Sequence, residues 1–222
     1  MSGQLITLEG IDGSGKSTAA KHIALKLAEM MPKRRLVLTA EPTTSGAGKI
    51  LRTELARADA GETPVAQRME ELFLFMADHA SHLTKTIIPS LEGGAIVLSD
   101  RYTDSTAAYQ GVTLRNVLPD PVQWIRSLYK PWNLPPDRTL LFVLDPRIAL
   151  QRMQSRRGRE KFERFEFLQS VDENFRMLAT LEPERFVLID AGKPQETVVE
   201  EALLAILELL SMGSVRKSTT RQ

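Results

Sequence analysis

Cysteine is absent from the 222-residue chain. Its absence excludes disulfide frameworks, thiolate zinc sites, iron–sulfur clusters and cysteine nucleophiles together, and it fits a reducing compartment. No charge of one sign dominates: 29 Lys and Arg stand against 28 Asp and Glu, a formal net charge of +1. That balance excludes a chain-wide polybasic nucleic-acid arm and an acidic tail. Aromatic residues are scarce at 6%, and no basic stripe is interleaved with them, so no nucleic-acid partner is expected. No run approaches 18 apolar residues, and the start MSGQLITLEGID lacks a charged segment followed by a long apolar one. Neither a membrane span nor a signal peptide is expected, and the chain reads as cytoplasmic.

What is present is globular composition, 42% hydrophobic and 26% charged. Strand-like and helix-like segments alternate. Gln4–Glu9, Arg35–Ala40, Ala95–Ser99, Thr139–Leu144 and Phe186–Ile189 read as five strands. The fourth and fifth are continuous apolar runs, as expected of central parallel strands covered on both faces. Helical patterns run over Lys16–Met30, Gly46–Arg57 and Pro194–Leu210. A longer one opens at Thr63 as N-cap, with Pro64 in the first helical position, and runs to Leu91 with an interruption near Pro89. The alternation predicts an α/β three-layer fold, a five-stranded parallel sheet with helices on both faces. One domain over residues 1–213 is expected, with a frayed polar tail over 214–222.

Gly10-Ile11-Asp12-Gly13-Ser14-Gly15-Lys16-Ser17 fits the phosphate-binding pattern G-x-x-x-x-G-K-[ST] in full. A polyphosphate needs several converging N–H donors, and glycines let the backbone come close. The helix beyond Gly15 adds its positive dipole end. Lys16 supplies a point charge to the β- and γ-phosphates, and the Ser17 hydroxyl can ligate Mg²⁺. Thr18 beside it reads as helix surface at the edge of the ATP site. Asp100 follows the apolar third strand. An Asp there is often only a helix cap, but beside a phosphate loop it suits the water shell of the metal. The nucleotide reading therefore includes ATP and Mg²⁺.

The acceptor is not named by this loop. No N-K-x-D, L-S-G-G-Q, H-R-D or D-F-G is present. Positive evidence lies in Asp100-Arg101-Tyr102-Thr103-Asp104-Ser105-Thr106-Ala107-Ala108-Tyr109-Gln110. On a helix, Arg101, Ser105 and Tyr109 share one face, a wall of guanidinium, hydroxyl and phenol. Phe75 and His79 share a face of the long helix with Leu72 and Leu83, a pattern that core packing also produces.

With these residues in view, the sequence resembles the thymidylate kinase family over roughly Leu5 to Leu210. The resemblance rests on the D-R-Y-x-x-S-x-x-A-Y-Q run, LEGIDGSGKST, Glu41-Pro42, Leu74-Phe75 and a basic run near residue 157. It implies phosphorylation of dTMP to dTDP, on the way to dTTP, by a homodimer built through helices next to the sheet. It further implies that Phe75 stacks on thymine, Arg101 holds the dTMP phosphate, and Asp12 lies near the sugar 3′-hydroxyl. Ser105, Thr106 and Gln110 would lie near the base, Tyr109 against the sugar, Glu41 and Pro42 at the pocket border, and Ala191 by the adenine. The chain departs from the family at three points. His79 stands where relatives carry an Arg that bonds the base, Ala40 precedes Glu41 in place of Arg, and Thr43-Thr44 replace glycines.

Residues 152–164 carry Arg152, Arg156, Arg157, Arg159, Lys161 and Arg164 against Glu160 and Glu163, a local charge of +4. Charge runs are usually solvated faces. Here none of the four variable positions of the phosphate loop is basic, so the cation for the transition state must come from elsewhere. This segment reads as a basic lid, with Arg157 and Arg159 as catalytic cations beside Lys16 and Arg101, and Arg152 and Arg156 on the ATP side. Two other readings stay open: a kinase of a different nucleotide or deoxynucleoside, and a nucleotide-binding module without turnover.

Overall fold

The computed structural model describes residues 3–56, 63–154 and 165–218. Five parallel strands, β1 (Gln4–Glu9), β2 (Leu36–Ala40), β3 (Ile96–Asp100), β4 (Arg138–Val143) and β5 (Phe186–Asp190), lie in the order β2-β3-β1-β4-β5. The connections include α1 (Lys16–Met30), α2 (Gly46–Leu55), α3 (Val65–His82), α4 (Ile88–Glu92), α5 (Thr103–Thr113), α6 (Pro121–Tyr129), α7 (Pro146–Gln154) and α8 (Phe165–Leu181). α9 (Gln195–Ser218) follows β5 and runs past Leu210.

Right-handed crossovers fix the layers. The path from β1 to β2 moves one way across the sheet, and the later paths move the other way. They therefore place α1 on one face and α3, α5 and α8 on the opposite one. α9 returns to pack on α1, β4 and β5. Ile6 and Leu8 of β1, Leu140 and Phe142 of β4, and Ile23 and Leu27 of α1 belong to one buried cluster with Phe175 and Leu178 of α8. A second cluster joins Leu5, Val97 and Tyr102 to Leu83 and Ile87. Leu72 and Leu83 are thus monomer core and not part of a subunit face.

Three local expectations change. β4 is central, but β5 is an edge strand with Leu188 55% exposed, because no strand follows it on that side. Its apolar run reflects partial cover on both faces, with Phe186 buried on one and Ile189 on the other. Pro64 is itself the N-cap of α3, one residue later than the sequence suggests. The long helix is interrupted earlier than Pro89, by a π turn over Leu83–Ile87. Pro89 has no N–H and its ring would meet the carbonyl four residues back. The wider turn just before it, with the Ile88 N–H bonded to the Leu83 carbonyl, takes up that mismatch.

The edge and centre positions make a direct test. Leu140→Ala is expected to lower stability in urea unfolding by about 2–5 kcal/mol, because Leu140 is wholly buried. Leu188→Thr on the exposed edge should change it by no more than about 0.5 kcal/mol.

Candidate active site

The phosphate loop joins β1 to α1 at the C-terminal edge of the sheet. Gly10, Gly13 and Gly15 adopt φ of 140°, 79° and 87°. A Cβ on Gly13 would lie 2.5 Å from the Ala149 carbonyl of α7, so only glycine lets the loop settle there. A Cβ on Gly15 would meet nothing within 4 Å. That open space lies at the first turn of α1, where N–H groups have no carbonyl a turn earlier to bond. Ser17 and Thr18 are exposed on this turn, and Lys16 is buried with its Nζ donating to the Ile11 carbonyl at 3.2 Å. Burial, and then the Arg101 charge, lower Lys16 to about 8, against the pull of Asp12, Asp100 and Glu9.

Arg101 is the one non-glycine residue with positive φ among the described residues, at 74°. Such strain costs about 1–3 kcal/mol and survives only where the surroundings hold it. Here the Arg101 N–H donates to Leu8 of β1 at 3.0 Å, and the Ser99 hydroxyl donates to its carbonyl at 2.7 Å. The turn aims the guanidinium back across the loop. Nη1 donates to Ser105 Oγ at 2.8 Å, and Nη2 to Asp12 and to the Tyr109 hydroxyl. The Tyr109 ring lies under the guanidinium, 4.9 Å away, and its hydroxyl donates to Asp12 Oδ2 at 2.8 Å. Burial alone would push Asp12 up; Arg101, Lys16 and Tyr109 outweigh it and hold Asp12 below its ordinary value.

Two more polar atoms at this edge are buried without a partner among the described residues, Ser14 Oγ and Asp100 Oδ1. A single carboxylate and a nearby hydroxyl make a sparse oxygen set. That set suits Mg²⁺, which keeps several waters and takes the rest of its ligands from phosphates. Among the described residues no cluster of three or more metal-ligating side chains exists. On the far side of the loop, Arg152 Nη2 donates to the Ala191 carbonyl at 3.2 Å, so these two ATP-side candidates meet. Arg156, Arg157, Arg159, Lys161 and Arg164 lie outside the described residues.

The acceptor side is built differently from its sequence reading. Phe75 is half-buried on α3. His79 is 1% exposed, and both its nitrogens are taken: Nδ1 by Glu41 Oε1 at 2.7 Å and Nε2 by Asn133 Oδ1 at 2.9 Å. Tyr102, Tyr129 and Trp132 enclose the ring, with centroids 4.5, 5.3 and 5.5 Å away. His82, one turn on, gives its Nδ1 to the same Glu41 oxygen at 2.7 Å and its Nε2 to Thr39 Oγ1 at 2.7 Å. Asp78 accepts from the Thr43 N–H at 2.6 Å and from the Thr43 and Ser45 hydroxyls. Three neighbouring residues of α3 therefore pin the whole turn that starts at Glu41 and the cis-linked Pro42. The departures at positions 43 and 79 meet in this one assembly. Gln110 also faces inward, its amide held by Glu71 at 2.7 Å and Thr113 at 2.8 Å. Thr106 is buried beside it on α5.

Sequence reasoning missed Glu9, Asp78, His82 and the Asp104–Arg185 pair. The signal for Glu9 was a carboxylate ending a central apolar strand. For Asp78 and His82 it was polar residues at i, i+1 and i+4 with His79. Asp104 and Arg185 are far apart in sequence, and no local pattern joins them.

The Glu41 assembly carries a pH signature. Burial would raise Glu41; the His79 charge and hydrogen bond, then those of His82, hold it below the ordinary 4.5. Its stabilising contribution is therefore complete above about pH 4.5 and is lost as pH falls through its lower folded value. In acid unfolding, His79→Ala should lower stability at pH 7 by about 1–3 kcal/mol and flatten the loss below pH 4.5.

The family model described as thymidylate kinase matches residues 8–202. Curated relatives agree with it. A probable thymidylate kinase of Methanosarcina mazei is 47% identical over 213 residues, covering 95% of this chain and 98% of the relative. Those of Methanosarcina barkeri and Halobacterium salinarum are 46% and 41% identical, covering 95% and 93% of this chain and 99% and 96% of the relatives. A five-stranded parallel sheet, the full phosphate loop and the Asp100–Gln110 run all accord with these matches, and the chain belongs to the thymidylate kinase family.

Proposed function

We propose that the chain transfers the γ-phosphoryl group of ATP to dTMP, giving ADP and dTDP. The observation that carries this reading is the place of Arg101. Its guanidinium stands between the phosphate loop, through Asp12, and the α5 wall, through Ser105 and Tyr109. A planar fork of donors at that junction suits an acceptor phosphate facing the end of ATP.

The acceptor phosphate oxygen is itself the nucleophile, so no covalent intermediate is needed. Catalysis is then positioning and charge neutralisation. The loop amides and Lys16 hold the donor, Arg101 holds the acceptor, and Arg157 and Arg159 supply charge to the transferred group. Mg²⁺ would be held by Ser17 and the water shell on Asp100, neutralising the phosphates. Asp12 accepts the sugar 3′-hydroxyl, Tyr109 crowds the 2′ position, and Phe75 stacks on the base, while Ser105 turns its hydroxyl to Arg101 and Glu9. Arg152, bonded to the Ala191 carbonyl, serves the adenine side, with Arg156 as a further ATP-binding side chain. A homodimer would form on α2 and α3, where Ile50, Val65 and Phe73 expose apolar surface.

A different nucleoside monophosphate as acceptor is favoured by one observation, the engagement of both His79 nitrogens inside the protein. An acceptor panel of dTMP, dUMP, UMP, dCMP, dGMP, AMP and thymidine decides between the readings, with diphosphate product measured directly. Preference for dTMP is expected; preference for another monophosphate would replace the acceptor and keep the mechanism. Arg101→Ala should lower kcat/KM for the acceptor by about 100-fold or more while the ATP KM changes little. Transfer to thymidine unaffected by Arg101→Ala would overturn the monophosphate reading.

A further inference from the structure

Glu9 ends β1 in the middle of the sheet and is completely buried. An interior carboxyl group costs several kcal/mol unless its surroundings use it. Yet among the described residues Glu9 has a single hydrogen-bond donor, the Ser105 hydroxyl on Oε2, and its Oε1 has no partner.

The geometry around Ser105 gives the group a task. A hydroxyl has one proton to donate and lone pairs to accept with. Ser105 Oγ faces Arg101 Nη1 at 2.8 Å on one side and Glu9 on the other. A guanidinium can only donate. The hydroxyl proton must therefore point away from Arg101, and Glu9 Oε2 is where it goes. With that proton fixed, the Ser105 lone pair is held toward Nη1, and the plane of the guanidinium is set from the sheet side. Asp12 and Tyr109 set it from the loop side.

We propose that Glu9 is a positioning residue for acceptor binding, orienting the Arg101 fork through the Ser105 hydroxyl. The proposal rests on the reading that Arg101 holds the acceptor phosphate. Burial and then the Asp104 carboxylate push Glu9 well above the usual carboxylate range, with Ser105, Arg101 and Lys16 pulling the other way. Oε2 serves as acceptor in either charge state, because a proton on the carboxyl has Oε1 to sit on. A neutral amide can therefore replace the carboxyl.

The test uses the full-length enzyme and steady-state kinetics with each substrate varied in turn. Glu9→Leu removes the acceptor and should raise the dTMP KM by about 10-fold, with the ATP KM within about twofold. Glu9→Gln keeps a carbonyl oxygen for Ser105 and should stay within about threefold of the parent enzyme. Combining Glu9→Leu with Ser105→Ala should be no worse than Ser105→Ala alone, because both cut one link. If Glu9→Leu does not fold, Ser105→Ala cuts the same link from the other end and must show the same selective rise. An unchanged dTMP KM, equal rises for both substrates, additive losses, or Glu9→Gln as impaired as Glu9→Leu would each overturn the proposal. Arg101→Ala run alongside separates the two claims. If it spares the dTMP KM, the Arg101 reading fails; if it does not while Glu9→Leu does, only the Glu9 proposal fails.

Discussion

The turn at Arg101 is the constraint on which the site depends. Its backbone is strained, and it is held by one bond from β1 and one from β3. Both strands belong to the best-buried part of the sheet, so the strain rests on the stiffest element available. The side chain then spans two pieces of chain that sequence separates by almost ninety positions, Asp12 and Arg101. The phosphate loop and the α5 wall are not independent subsites joined by a hinge. They share a guanidinium, and whatever moves one reorients the other.

Around this turn, the sheet face under α5 is unusually polar. Thr7 and Thr139 bond each other at 2.9 Å, Arg185 donates to Thr139, and Arg185 and Asp104 form a two-pronged ion pair at 2.7 and 3.1 Å. Glu9 and Ser105 continue the seam toward the phosphate loop. Every residue from Thr103 to Gly111 is buried, so α5 has no solvent face to which its polar side chains could turn. Replacing such a seam with well-packed apolar groups often stabilises a protein. Its presence here is understood through orientation: a hydrogen-bonded polar network allows one arrangement, where packed methyl groups allow several.

Most of the fold was legible because its signals are local. β1 and the start of α1 fall where the alternation and the glycine loop put them. The strand order and layers follow from crossover handedness. β5 was misplaced as a central strand because an apolar run reports its residues and not its neighbours. In the site, Gly10–Ser17, Ser105 and Tyr109 were legible, since one loop and one helix face bring them together; Arg101 precedes α5 and reaches the same wall through its left-handed turn, not through helical spacing. The Glu41–His79–His82 assembly was not. It joins a strand end to a distant helix, and a lone histidine on an apolar face gives no sign of what it touches. Glu9 escaped notice for a related reason: it stands next to a strong motif, outside its pattern.

The pinning of residues 41–45 by Asp78, His79 and His82 bears on how this acceptor pocket can change over time. Glu41 receives both imidazoles on one oxygen, and Asn133 closes the far side of His79. An arginine at position 79 would bring a longer side chain and a permanent charge into a ring of three aromatic side chains. Positions 41, 79, 82 and 133 are therefore tied into one heritable unit. A change at position 79 alone leaves Glu41 and Asn133 without their shared imidazole partner, and a pocket graft that carries position 79 alone transplants a fragment of that unit.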